Sequence, residues 1–242
     1  MLHIFEDRAE LSIAVAELVV KKAQEAVAAT GRFSLALTGG SSPVQLYSLL
    51  AASPYTEQMP WADTYIFWGD ERWVPLTDEK SNAKMAFDTF LSKVPVPQNQ
   101  IFPMWEADME PEAFAQKYEQ TLKEHFGQSA PQFDLILLGM GDDGHTASLF
   151  PHTEVLKEQS SWVKAYYLTP QSMFRVTLTA PLINQSKAVV FMTFGENKAP
   201  ALAEVLEGER NVEEYPSQLI QPVSGEVHWF VDEKAAAGLK NK

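Results

Sequence analysis

Phe33-Ser34-Leu35-Ala36-Leu37-Thr38-Gly39-Gly40-Ser41-Ser42-Pro43 is an apolar run that stops at a small polar turn. Residues 33–37 have the length and character of a buried strand. Pro43 stands where a helix starts, and Leu46, Leu49 and Leu50 supply that helix with an apolar stripe. Strand, glycine turn and helix in succession make up most of a βα unit.

The unit recurs along the chain. Residues 65–68 read as a strand ending at Gly69-Asp70, and 82–91 as a helix capped by Ser81. A helix over 113–126 precedes a strand over 134–138 that ends at Gly139. A strand over 188–194 ends at Gly195, a helix over 198–206 follows, and 227–231 is a late strand. Upstream, Asp7 opens a helix with Glu10 as capping-box partner, Leu11, Val15, Leu18, Val19 and Lys22 at helical spacing, and Gly31 at its end. Continuous apolar strands alternating with helices predict an α/β fold: a mostly parallel, Rossmann-like sheet with helices on both faces. With no repeat or obvious linker, 1–242 reads as a single domain. The proline-rich stretch 95–111 reads as a long surface connection.

Composition narrows the partners. The 242 residues hold 32 Asp and Glu against 19 Lys and Arg, a formal net charge of −13. Such a surface repels nucleic acid and anionic lipid, so neither is an expected partner. An anionic substrate would need a local cluster of cations. Cysteine is absent, which fits a reducing cytoplasm. The N-terminal residues lack a signal-peptide pattern, and no apolar stretch approaches the roughly 18 residues of a membrane span.

In open α/β sheets, ligands bind beyond the carboxyl ends of the strands. Four expected strand ends are unusually polar: 38–42, 69–72, 139–145 and 195–198. In the first, Gly39, Gly40, Ser41 and Ser42 let backbone amides approach an anion, although an ordinary strand-to-helix turn would look the same. In the second, Asp70 and Glu71 are candidates to pair with a base or hydroxyl, and Arg72 to fork onto a phosphate.

The third end, Gly139-Met140-Gly141-Asp142-Asp143-Gly144-His145, matches the glycine spacing of a dinucleotide site. Two carboxylates inside the turn would oppose a pyrophosphate, and the next candidate strand, 162–168, does not end in a ribose-holding acid. His145 fits a general base better, with Asp142 or Asp143 fixing its tautomer. His152, seven residues on, would be a second metal ligand only if Pro151 did not break the helix between them, so no metal is expected. In the fourth end, Lys198 opens a helix. Together with Arg72 and with Arg175 of the run Arg175-Val176-Thr177, it forms the cationic cluster that a phosphate would need.

At these residues the chain resembles the 6-phosphogluconolactonase family. The resemblance rests on 37–43, 68–72, 139–151, Arg175-Val176-Thr177 and 195–199, with Gly144-His145-Thr146-Ala147-Ser148-Leu149-Phe150-Pro151 the most specific. The family often has proline where this chain has Asp142. The resemblance implies the fold of glucosamine-6-phosphate deaminase and ribose-5-phosphate isomerase. It also implies hydrolysis of 6-phospho-D-glucono-1,5-lactone in the oxidative pentose phosphate pathway, without a cofactor; a cytoplasmic location and a monomer or weak homodimer are separate expectations. The expected catalytic residues are His145, Asp70 and Asp143. The expected substrate-binding residues are Gly39, Gly40, Ser41, Ser42, Arg72, Arg175 and Lys198. The related deaminases place a glutamate five residues after the histidine, where this chain has Phe150. A non-catalytic sugar-phosphate sensor would not need His145 and Asp70 together.

Overall fold

The computed structural model describes residues 1–127 and 131–241. In chain order the elements are β1 (Leu2–Phe5), α1 (Arg8–Thr30), β2 (Phe33–Leu37), α2 (Val44–Leu50), α3 (Tyr55–Gln58), β3 (Thr64–Trp68), β4 (Asp70–Arg72), α4 (Asn82–Thr89) and α5 (Pro111–Phe126). There follow β5 (Leu135–Gly139), β6 (Val163–Leu168), β7 (Met173–Leu178), α6 (Ala180–Ile183), β8 (Ala188–Thr193), α7 (Ala199–Glu207) and β9 (Glu226–Asp232). Among the described residues no helix is long and apolar enough to cross a membrane.

Six strands form one sheet in the order β1-β9-β8-β5-β2-β3, with every pairing parallel. All residues of β2 and β8 are buried. Successive side chains on a strand point to opposite faces, so both faces of the sheet are covered. Helix α1 supplies part of that cover through Leu11, Val15, Val19 and Ala23. Its start is fixed by Asp7, whose Oδ1 accepts from the amides of Ala9 and Glu10 at 2.7 and 3.0 Å. Gly31 ends it in a left-handed conformation, φ 76°. The Glu10 side chain accepts from Glu6, not from Asp7, so the capping box is displaced by one residue.

A second sheet, β4-β7-β6, is antiparallel. The sequence pattern marks a strand near 162–168 but reveals neither this sheet nor β1. The reason is composition: β4 is Asp-Glu-Arg, without the apolar alternation that advertises a strand. Gly69 alone separates the two sheets. Its amide donates to Leu37 O at 2.8 Å, continuing the parallel ladder, and its carbonyl accepts from Leu178 N at 2.9 Å, starting the antiparallel one. The second sheet is thereby held at the carboxyl edge of the first. The proline-rich connection is also partly built into the fold, since Ile101 is buried and bridges to Ile66 of β3.

Candidate active site

Because β2, β3, β5 and β8 are parallel, their polar ends open on one edge, and there they surround a cavity of about 270 Å³. The turn after β2 forms one wall. Among the described residues, the amides of Gly39, Gly40, Ser41 and Ser42 donate to no protein acceptor. Unpaired amides in a glycine turn form a concave site for an anion. The turn's outer side is held by Arg8, the first residue of α1. Its guanidinium donates to the carbonyls of Ser41 and Ser42 and lies 4.4 Å from the Phe194 ring centroid. Gly39 is required for a steric reason: a Cβ there would meet Asn82 Oδ1 at 1.9 Å. Asn82 donates from Nδ2 to the Asp70 carbonyl at 2.9 Å, which ties the turn to β4.

β4 turns alternate residues in opposite directions. Asp70 and Arg72 line the cavity. Glu71 faces away and is fully buried. Its carboxyl accepts from the amides of Arg72, Asn82 and Ala83 at 2.8, 2.7 and 2.8 Å, and from Ser81 Oγ at 3.1 Å. Burial pushes it up to about 7, against the pull of those hydrogen bonds. Of the two acids the sequence offers here, Asp70 is therefore the cavity residue and Glu71 is the clamp on the start of α4. Asp70 Oδ2 accepts from Ser148 Oγ at 2.5 Å and lies 3.9 Å from Arg175 Nη1.

Arg175 reaches the cavity from β7, opposite Arg72 in the antiparallel register. Its guanidinium also donates to Gln171. Burial depresses Arg175, Asp70 opposes this, and the neighbouring Arg72 adds to it. The Nε–H groups of Arg72 and Arg175 are buried without a partner. Buried donors of this kind ordinarily find an acceptor, and among the described residues these two have none. Lys198, after β8, completes the cationic lining and pairs with Asp142.

His145 stands on the turn after β5. Its Nδ1 meets Asp143 Oδ1 at 2.5 Å, and its amide donates to the same oxygen at 3.1 Å. A carboxylate only accepts, so in the neutral ring Nδ1 carries the proton and Nε2 is the basic nitrogen. Burial raises the Asp143 carboxyl, but the bonds from His145 outweigh it and hold it below its ordinary value. The choice left open between the two acids resolves to Asp143, since Asp142 binds Lys198 and Asn197 instead. Gly141 leaves room for the ring: a Cβ there would lie 2.0 Å from His145 Nδ1. His152 pairs with Glu214 at 3.1 Å and not with His145.

Phe150 lines the same cavity. Its ring stacks on His145, with centroids 4.0 Å apart and planes at 21°. The Arg175 guanidinium carbon sits 5.6 Å from its centroid. The sequence reading treats Phe150 only as a missing acid, and it overlooks Arg8, Asn82, Ser148 and Gln171. The missed signal for Arg8 is β1, because a strand ending at Phe5 places the residues after it on the same edge.

A carboxylate-held histidine and three basic side chains around one cavity at the carboxyl edge of a parallel sheet fit the plan of an α/β enzyme. The particular family follows from comparison with known proteins. A model described as glucosamine-6-phosphate isomerases/6-phosphogluconolactonase matches residues 6–229, and the chain belongs to that family. A 6-phosphogluconolactonase of Synechocystis is 41% identical over 225 residues, covering 92% of this chain and 91% of its own. One from Nostoc is 39% identical over 241 residues, 98% of each chain. The structure of 6-phosphogluconolactonase from Trypanosoma brucei superposes with a TM-score of 0.85 at 26% identity, covering 99% of this chain and 98% of that one. A monomeric glucosamine-6-phosphate deaminase shares the fold, with a TM-score of 0.83 at 22% identity, covering 98% of this chain and 99% of that one.

Proposed function

We propose that the protein hydrolyses 6-phospho-D-glucono-1,5-lactone to 6-phospho-D-gluconate, the lactone-opening step of the oxidative pentose phosphate pathway, without a cofactor. The curated relatives bearing the lactonase name support this reading. The single observation that carries it is the pairing, in one cavity, of a histidine oriented by Asp143 with three basic side chains beside a turn of unpaired amides.

In this reading the substrate's phosphate sits on the amides of residues 39–42, with Arg72, Arg175 and Lys198 around it. Remote binding of the phosphate holds the lactone carbonyl before His145. Nε2 of His145 takes a proton from water as the water oxygen bonds to the carbonyl carbon, giving a tetrahedral oxyanion. The oxyanion collapses and the bond to the ring oxygen breaks. The imidazolium returns its proton to that oxygen, which becomes a hydroxyl. The new carboxylic acid then ionises to solvent. Asp143 supports the imidazolium in between, and Asp70, held by Ser148, is placed to accept from a sugar hydroxyl.

Amino-sugar deamination shifts a proton between carbons and needs further acid–base groups. Phe150, whose ring is buried against His145, carries none. The test is His145→Ala. Loss of 6-phosphogluconolactone, corrected for spontaneous hydrolysis, should slow by roughly 10²–10⁴-fold, while affinity for 6-phosphogluconate stays unchanged. Rates within a fewfold of wild type would remove His145 as base. Ammonia release from glucosamine 6-phosphate at a comparable rate would overturn the choice of reaction.

A further inference from the structure

Among the described residues, Lys198 is the one lysine or arginine of the cavity lining joined to a carboxylate outside it. Asp142 Oδ1 receives both Lys198 Nζ and, at 2.9 Å, Asn197 Nδ2. The two partners differ in their exposure to water: the Lys198 side chain is 19% exposed and that of Asp142 is 61%. The carboxylate, the more exposed partner, is the one more readily returned to water. The loop around Lys198 also has anchors other than Asp142. The Gly195 amide donates to both carboxylate oxygens of Asp232 at 3.0 and 3.1 Å, and the Lys198 amide donates to Gly195 O at 3.1 Å.

Resting on the lactonase reading, we propose that Asp142 is a built-in counter-ion for Lys198 that competes with the substrate's phosphate and so sets its affinity. In the free protein Asp142 occupies Lys198. When the phosphate enters, the ammonium exchanges the carboxylate for a dianion, and Asp142 is left as a negative charge at the cavity rim. Both effects weaken phosphate binding, and neither touches the carbonyl at His145. Asp142 is an affinity-setting residue, not a catalytic one.

Asp142→Asn keeps the side-chain oxygen that Asn197 uses and removes the charge. It should lower both KM for the phosphorylated lactone and the competitive inhibition constant of inorganic phosphate by about three- to tenfold. Its kcat on unphosphorylated glucono-1,5-lactone should stay within about twofold of wild type. Asp142→Glu, which can pair again, should behave as wild type. In a Lys198→Gln background the same Asp142→Asn change should shift phosphate inhibition by no more than about twofold. A raised or unchanged inhibition constant in Asp142→Asn overturns the inference, as does an undiminished fall in the Lys198→Gln background. If phosphate does not compete in the wild type and Lys198→Gln leaves KM unaltered, the phosphate-site reading itself fails and the inference falls with it. Competition by phosphate without an Asp142→Asn effect overturns the inference alone.

Discussion

Replacing Asp143 by Asn isolates the charge behind His145 while keeping the shape of the turn. Asp143 Oδ1 accepts from both the ring and the amide of His145, at 2.5 and 3.1 Å. An asparagine oxygen can keep both contacts, so the tautomer and the loop survive. What is lost is the negative charge beside the imidazolium that forms as water is deprotonated. A hydrogen bond to a charged group contributes about 1.5–3 kcal/mol, roughly double that of a neutral one. Because asparagine keeps a neutral bond, only the difference is lost, and the half-exposed Asp143 side chain puts it near the low end, about 0.7–1 kcal/mol. That corresponds to roughly a three- to fivefold fall in kcat, with KM unchanged because Arg72, Arg175 and Lys198 are left in place. The assay is stopped-flow proton release in a weakly buffered indicator solution, with spontaneous hydrolysis subtracted. Asp143→Asn added to His145→Ala should cost no more than about a further twofold, since the charge acts through the ring. A kcat within twofold of wild type would refute a supporting role. A loss as large as that of His145→Ala, and additive to it, would make Asp143 an acting group in its own right.

Two further outcomes concern groups outside the His145 turn. Arg8→Ala should raise KM for the phosphorylated lactone by roughly five- to thirtyfold, worth about 1–2 kcal/mol of hydrogen bonds to the carbonyls of Ser41 and Ser42, with kcat within twofold; an unchanged KM in steady-state assays would show that the turn holds its shape without Arg8. Burial, and then the charge of Arg32, hold His125 down at about 4 in the folded protein. Its folded value lies below its unfolded value of about 6.5, so the unfolded chain binds the extra proton. The stabilisation is therefore present above about pH 6.5 and is lost as pH falls through 4. For a half-buried ring screened by solvent it amounts to roughly 1–2 kcal/mol. Thermal melts of wild type and His125→Gln should converge across that window, and parallel curves would show that His125 does not titrate there.

The parallel sheet was legible because its strands are buried on both faces. Continuous runs such as Leu35-Ala36-Leu37 and Val189-Val190-Phe191, each stopped by a glycine, carry their own signature. Strand ends are local features, so the edge where Gly39, Asp70, His145 and Lys198 gather could be inferred before any tertiary contact was known. The second sheet was not legible: β4 is three polar residues long, and it is a strand only because Gly69 hands the chain from Leu37 to Leu178.

The sequence by itself determined the βα architecture, the sheet edge on which the cavity opens and the histidine turn, because each depends on residues near one another in the chain. Tertiary structure decided the rest. It chose Asp143 over Asp142 as the partner of His145, and it separated Asp70 from Glu71 by sending alternate residues of β4 to opposite sides. It brought Arg8 from the first helix to the turn at Ser41 and Ser42 and packed Phe150 against His145 and near Arg175. These choices rest on contacts between residues far apart in sequence, or on the direction of a single side chain. Residue type and local spacing carry no record of either, because register between distant strands is set only when both pack on one core.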